Sequence, residues 1–316
     1  MDWTKKNVLV TGGSGFLGSR IVSLLQSKNT KRIFVPRSKE FDLRERDNCI
    51  KVLKDIDVVF HMAGITGGIG FTKAHPGSVF YDNLIMSTIL MEEARKANVE
   101  KFIDTGTVCA YPKFTKVPFK EEDLWAGYPE ETNASYGFSK KMQIVQSQAY
   151  REEYGFNSIV LVLTNLYGPG DKFDPKVSHV IPALIMKMYK AKIDKMKEIE
   201  LWGDGTPSRD FIHVKDAARA FILAAEYYNK PDPVNIGGGF EISIKELAHT
   251  IMNIMNLDLK IKWNKDKPNG QPRRMLDITK AEKEFGFRPE IKLEDGLRET
   301  ITWFINEVEN KRLLLN

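Results

Sequence analysis

Thr107, Cys109, Tyr136, Lys140 and His179 are the side chains of this sequence whose types and spacing suit acid–base chemistry. Tyr136 and Lys140 stand four residues apart, so on a helix they share one face. An ammonium there favours phenolate over phenol and is expected to lower a pKa that starts at about 10. Thr107 adds a hydroxyl that can polarise a carbonyl. These three groups are enough for delivering hydride to a ketone. Cys109 and His179 exceed that need. A thiol, with a pKa of about 8.5 that a cationic neighbour lowers, is a competent base. Histidine titrates near neutrality and can act as the acid. The set points to an enzyme that also moves protons on carbon. Read singly, Cys109 could be a buried strand-end cysteine and His179 a helix-start residue bonded to backbone; their joint occurrence carries the reading.

The elements that must position these groups are short apolar runs alternating with longer amphipathic segments, the βαβ pattern of a parallel sheet. Strands are expected at 8–11, 32–35, 57–61, 101–105 and 158–164, with helices at 16–26, around 47–54, and at 76–97 and 135–154. The fourth strand would deliver Thr107 and Cys109 at its carboxyl end. Residues 166–171 read as a turn-rich break, followed by a helix over 178–191. A strand at 211–214, a helix to about 228 and a strand at 234–236 read as a return to the main sheet. The rest, from 243, reads as a smaller lobe ending in a helix over 293–308. The fold class is thus α/β, a doubly wound parallel sheet with a smaller, interleaved α/β lobe. Residues 1–165, with 211–240 returning, form the expected dinucleotide-binding domain, and 166–316 mainly the substrate-binding lobe.

Gly12, Ser14, Gly15, Phe16, Leu17 and Gly18 lie between the first strand and its helix. Missing side chains let backbone approach a pyrophosphate, and the helix start offers free N–H groups to it. This is the context that makes a glycine turn a Rossmann dinucleotide site. At the end of the second strand, an acid would bind ribose hydroxyls and a cation a 2′-phosphate. The chain has Arg37 and Ser38 there, with Asp42 farther on beside the expected adenine. NADP is favoured, with NAD open. Lys140 can then hold the nicotinamide ribose.

Composition narrows the classes. A net charge of +5, from 47 basic and 42 acidic residues, is spread along the chain with no dense basic run, which argues against nucleic-acid binding. It would suit an anionic nucleotide sugar. The apolar stretches are strand-sized, too short to span a membrane. The first residues lack the apolar core of a signal peptide, so the cytoplasm is expected. Cys49 and Cys109 have no metal-ligand spacing, the five histidines form no zinc pattern, and no metal is expected. Cys49 reads as lying on a surface helix. Arg209 can pair with a diphosphate and Trp202 can pack on a base or sugar, while Asp277, after Arg273 and Arg274, can bind a sugar or ribose hydroxyl.

Several blocks, taken together, resemble the extended short-chain dehydrogenase/reductases. They are Gly67-Gly68-Ile69, Cys109-Ala110-Tyr111-Pro112, Asn165-Leu166-Tyr167-Gly168-Pro169, Ser178-His179-Val180-Ile181-Pro182 and Trp202 through Phe211. Within that family the chain is similar to the members that epimerise and reduce GDP-4-keto-6-deoxyhexoses. The resemblance implies Tyr136 as proton donor with Lys140 as helper, and Cys109 with His179 as the pair that epimerises C3 and C5 before C4 is reduced. It also sets Ala63, Asn165 and Tyr167 against the cofactor, Val180 and Lys187 against the substrate, and His61 beside the cofactor as a structural residue. A GDP-sugar substrate and a homodimer formed through the 76–97 helix and the helix of Tyr136 are implied too. Departures are Thr107 for the usual serine, Ser14 for a common arginine, and the 64–66 stretch. Nearby readings remain open: an enzyme doing only one of the two steps, or a non-catalytic NAD(P)-sensing protein.

Overall fold

The structure, a computed structural model, describes residues 1–175, 177–267 and 269–313, so the last three residues of the expected 166–316 lobe lie outside it. The first strand, β1 (Asn7–Thr11), is followed by α1 (Phe16–Ser27), β2 (Arg32–Phe34), α2 (Arg46–Val52) and β3 (Val58–His61). Then come α3 (Ile69–Ala74), α4 (Pro76–Lys96), β4 (Lys101–Thr107), α5 (Ala134–Tyr154) and β5 (Ser158–Leu163). Proline at the first position of α4 suits a helix start, and Gly155, at φ +66°, ends α5 in the left-handed region.

The second half adds β6 (Asn165–Tyr167), α6 (Val180–Ile193), β7 (Glu198–Trp202), β8 (Ser208–Arg209), β9 (Phe211–His213) and α7 (Val214–Tyr227). It closes with β10 (Val234–Ile236), β11 (Ile242–Ser243), α8 (Ile244–Ile254), β12 (Lys260–Asn264), α9 (Thr279–Phe285) and α10 (Leu293–Glu309). The main sheet is parallel throughout, in the order β2-β1-β3-β4-β5-β10. Both of its faces are covered, which is why β1 and β5 are apolar without alternation. Val8 and Val10 pack with Ile21 and Leu25 of α1 and Phe221 of α7 on one side. Leu9 packs with Cys49, Val52, Leu90 and Met91 of α2 and α4 on the other. Each such buried aliphatic or aromatic side chain stabilises the fold by about 1.5–3 kcal/mol.

Two expectations are corrected. The strand at 211–213 does not return to the main sheet: it pairs with Asn165–Tyr167 in a separate two-stranded ladder, and only β10 joins the sheet edge. Cys49 is fully buried, because the short α2 turns that face onto β1 and α4. A second core gathers α6, α8 and α10 around the parallel β7–β12 pair. No helix among the described residues is long and apolar enough to cross a membrane.

Asp210 stitches the halves together. Its carbonyl accepts Thr164 Oγ1 at 3.1 Å and Asn165 Nδ2 at 2.9 Å, while its carboxylate accepts the N–H of Gly238 at 2.8 Å and of Leu276 at 3.4 Å. Asp171 is the less well served acid. Oδ1 accepts the Lys172 N–H at 2.7 Å, but Oδ2 is buried with no hydrogen-bond partner among the described residues. Burial pushes this carboxyl up from 3.8 to about 7, opposed by Lys172. The native state then holds the proton more tightly than the unfolded chain. Its stabilising contribution is full below pH 3.8 and is lost as pH rises through about 7. Asp171→Asn is expected to melt above the wild type at pH 8, with the margin shrinking at pH 5.5 in thermal unfolding. A pH-independent margin would contradict this.

Candidate active site

The turn after β1 is shaped for close approach. Gly12 has φ +64°, and a Cβ there would lie 2.8 Å from the backbone of Met62 and Ala63 at the end of β3. A Cβ on Gly18 would come within 2.3 Å of the Gly12 carbonyl oxygen, so α1 can pack on its own turn only with glycine. Gly15 is the N-cap of α1, and among the described residues no side chain caps it. Ser14 is exposed beside it. The helix therefore presents open N–H groups where the chain leaves β1 for β2 on one side and β3 on the other, the switch point at which α/β sheets bind ligands. These residues fit a pyrophosphate. The side chains of Leu17 and, in part, Phe16 pack into the core, leaving their backbone to the site. Ala63 N donates to Thr11 Oγ1 at 3.3 Å and lies against Gly12.

Arg37 and Ser38 are exposed past β2, where the carbonyl of Arg37 accepts the N–H groups of Glu40 and Phe41 at 2.9 Å. Asp42 is clamped by Arg44, whose side chain holds its carboxyl below the usual range. Its charge is thus compensated by Arg44.

Thr107 ends β4, Cys109 follows in a single helical turn, and Tyr136 lies on α5. The hydroxyls of Thr107 and Thr66 reach the Tyr136 phenol, and the Cys109 thiol is its neighbour. Thr107 Oγ1 also accepts the Cys109 N–H at 3.2 Å. A Cβ on Gly137 would meet the Cys109 carbonyl at 2.3 Å, so glycine there lets α5 press against the thiol's turn. Burial first, and then Cys109 and Asp104, push the phenol well above its usual range, against the two threonine hydroxyls. The expected depression by Lys140 is absent. The ammonium instead donates to Thr105 Oγ1 at 3.2 Å and Gln143 Oε1 at 3.3 Å, and lies 4.0 Å from Asp104. Burial holds Lys140 below the usual lysine range, with Asp104 opposing, and pushes Asp104 up to about 6.

Behind the lysine runs a buried polar chain. Gln143 Nε2 donates to Ser87 Oγ at 2.7 Å, Ser87 Oγ meets His61 Nε2 at 2.8 Å, and His61 Nδ1 meets Thr11 Oγ1 at 2.7 Å. Burial, with Lys140 nearby, keeps His61 well below its usual pKa. A neutral imidazole at the end of β3 thus links the glycine turn to Lys140, a structural task.

His179 caps α6 and is open to solvent, yet protein walls surround it. That desolvation first, and Lys172 next, hold its pKa below the usual histidine value. The 64–68 loop ties it to the phenol. Thr66 touches Tyr136, Lys172 Nζ donates to the Thr66 carbonyl at 3.4 Å, and Gly68 N donates to Val177 at 3.1 Å. Thr66 was visible in the sequence only as a departure from the family pattern.

Farther out, Lys187 Nζ donates to the Glu200 carbonyl at 3.0 Å, beside Trp202 on the outward face of β7. Trp202 is 61% exposed, and Lys267, which sequence reasoning passed over, sits 5.6 Å above its ring. Val180 opens α6. Arg209, on β8, is pushed down to about 10 by burial first and by Arg274 next, with Cys109 opposing. Arg274, also missed, donates Nη1 to Cys109 Sγ at 3.7 Å. Three expected residues have other occupations. The Tyr167 side chain is fully buried in the second core, its hydroxyl on the Leu293 carbonyl at 3.5 Å, so only its backbone is left for a cofactor. Asn165 spends its amide on Asp210. Asp277 Oδ1 accepts the Thr279 N–H at 2.8 Å at the head of α9.

Residues 8–237 match the model of the NAD dependent epimerase/dehydratase family. A GDP-L-fucose synthase of Sinorhizobium fredii is 38% identical over 305 residues, covering 96% of both chains. The Escherichia coli GDP-L-fucose synthase is 32% identical over 320 residues, 98% of this chain and 99% of the other. The structure of a Naegleria fowleri GDP-L-fucose synthetase bound to NADP matches with a TM-score of 0.87 at 27% identity, covering 96% of this chain and 95% of that one. A GDP-mannoheptose C4 reductase from Campylobacter jejuni, with NADP bound, matches at a TM-score of 0.85 and 28% identity, covering 96% and 99%.

Proposed function

The chain belongs to the NAD dependent epimerase/dehydratase family, and from that premise we propose that it epimerises C3 and C5 and reduces C4 of a GDP-4-keto-6-deoxyhexose, giving GDP-L-fucose or a close relative. The observation that carries this reading is the meeting of Thr107, Cys109 and Tyr136 at the end of β4 and the start of α5. A 4-ketone acidifies the hydrogens on C3 and C5. Cys109 removes a proton and His179 returns one to the opposite face, while Thr107 and Tyr136 donate hydrogen bonds to the oxygen that carries the enolate charge. The dinucleotide, held by the Gly12–Gly18 turn and Lys140, supplies the hydride for C4. Tyr136 then gives its proton to O4. A phenol kept well above its usual pKa is fully protonated at neutral pH, which suits a donor. Arg209, Lys187 and Trp202 are the proposed contacts for the GDP moiety.

The experiment is turnover of GDP-4-keto-6-deoxymannose with NADPH in D₂O, reading deuterium in the product. Label at C3 and C5 together with NADPH oxidation is the expected result. Oxidation with label at neither carbon would leave a C4 reductase, the activity named for the C. jejuni relative. No oxidation would remove this sugar as substrate.

NADP is the proposed cofactor, because exposed Arg37 and Ser38 offer a cation and a hydroxyl at the end of β2. Arg37→Ala is expected to raise the KM for NADPH about tenfold or more and leave that for NADH nearly unchanged, a bidentate charged contact being worth about 1.5–3 kcal/mol. Equal changes for both cofactors would take Arg37 away from the 2′-phosphate. We also propose a homodimer through α4 and α5, which pack side by side and leave Phe80, Tyr81, Met142 and Val145 exposed. Two unpaired cysteines and nucleotide ligands fit the cytoplasm.

A further inference from the structure

We infer that Asp104, inside β4, is a positioning residue: it is the counter-ion that lets the buried Lys140 keep its charge and offer a hydrogen to the dinucleotide. This deepens the proposed function, since it rests on Lys140 holding that cofactor. Lys140 is 2% exposed and Asp104 fully buried, and Nζ lies 4.0 Å from Oδ1. Among the described residues Asp104 is the one carboxylate within ion-pair reach of the ammonium.

The hydrogen count gives the charge its use. Nζ donates to Thr105 Oγ1 at 3.2 Å and to Gln143 Oε1 at 3.3 Å. A neutral amine has two hydrogens, and these two acceptors take both. The ammonium has three, so only the charged form keeps one for a ligand. Both acceptors are neutral, and a lysine buried without an anion gives up its proton instead. Nor does the carboxylate serve the fold's hydrogen bonding. Oδ1 accepts the N–H of the next residue, Thr105, at 2.7 Å, and Oδ2 is buried with no hydrogen-bond partner among the described residues. What Asp104 contributes is its charge.

The surroundings hold no substitute for it. On β3, His61 is neutral, because burial and Lys140 keep it well below its usual pKa. On α5, the Tyr136 phenol is protonated at neutral pH, and the Cys109 thiol borders that phenol. From α4 come the Ser87 hydroxyl and the Asn83 carbonyl, both accepting from Gln143. On β5, Val160 stands opposite Asp104, and α7 covers the other face of the sheet with alanines and Phe221.

The test is fluorescence titration with NADPH of the wild type, Asp104→Asn, Lys140→Met and the double variant, from pH 5.5 to 9. Asparagine keeps the shape and the acceptor for Thr105 while removing the charge. At pH 8 Asp104→Asn is expected to weaken NADPH binding about tenfold, the loss of one charge-assisted hydrogen bond. Lowering the pH returns the proton to Lys140, so the deficit shrinks. Below about 6 Asp104 itself takes a proton, and the two proteins converge. Adding Asp104→Asn to Lys140→Met should weaken binding no further. Wild-type affinity in a folded Asp104→Asn at pH 8 overturns the inference and leaves the dinucleotide reading standing. So does a deficit equal at every pH, or one that adds to that of Lys140→Met. Thermal melting at pH 8 gives a readout free of cofactor. Lys140→Met should be more favourable in the Asp104→Asn background than in the wild type, because there it removes an ammonium left without its anion. Equal shifts overturn the inference, as does a double variant that stays unfolded where Asp104→Asn alone fails to fold. Wild-type protein that binds neither NADPH nor NADH would remove the dinucleotide reading instead, while the melting comparison still decides the pairing.

Discussion

Tyr136→Phe is expected to lower kcat for NADPH oxidation by about 10²–10⁴-fold, the span of a positioned general acid, with KM for the sugar little changed. The phenol is the protonated group aimed at the site, fixed between the Thr66 and Thr107 hydroxyls. Phenylalanine keeps the ring and its packing while removing the proton, so the loss should fall on turnover and leave folding intact. The two threonines remain and can still polarise the carbonyl, which is why the variant should keep residual activity. Raising the pH should not rescue the variant, because it can only take protons away from the groups that remain. A variant within threefold of wild type would show that water or Thr107 gives O4 its proton.

Cys109→Ser should separate the two halves of the reaction. Deuterium entering at C3 and C5 is expected to fall by about 10²–10⁴-fold, because a serine hydroxyl is a far weaker acid than a thiol and gains little from an arginine neighbour. Reduction of an already epimerised 4-keto sugar should continue, since Tyr136, Lys140 and the glycine turn are untouched. Mass spectrometry of the product reads the first, and NADPH oxidation the second. Unchanged labelling in this variant would take the thiol out of the mechanism and leave a reductase with an incidental cysteine.

What could be read in advance divides by distance along the chain. The β1–turn–α1 unit was legible because its determinants are adjacent: an apolar run, glycines, then a helix. Tyr136 and Lys140 were legible because helical periodicity is local. Their electrostatics were not. Burial raises the phenol, and Lys140 is turned away onto Thr105 and Gln143, partners the spacing does not reveal. The strand at 211–213 was recognisable, but its pairing with 165–167 is a non-local choice that the pattern leaves open. Cys49 was misplaced because seven residues of helix are too few for the buried side to stand out. Tyr167 sits in a family-like block, yet its ring packs into the second core. Arg274 had no local signal at all, being 165 residues from the sulfur it touches.

The stitching by Asp210 has one more consequence. Arg209 precedes it directly, the Asp210 N–H donates to the Arg274 carbonyl at 2.9 Å, and its carboxylate takes the N–H of Leu276 at 3.4 Å. One anchor therefore fixes the spacing of two guanidiniums, whose mutual repulsion comes second to burial in lowering the pKa of Arg209. Folding holds these two charges together before any ligand arrives. An anion entering between them meets like charges that have already been brought together. Part of its binding free energy is thus prepaid at folding, by a residue the anion never touches.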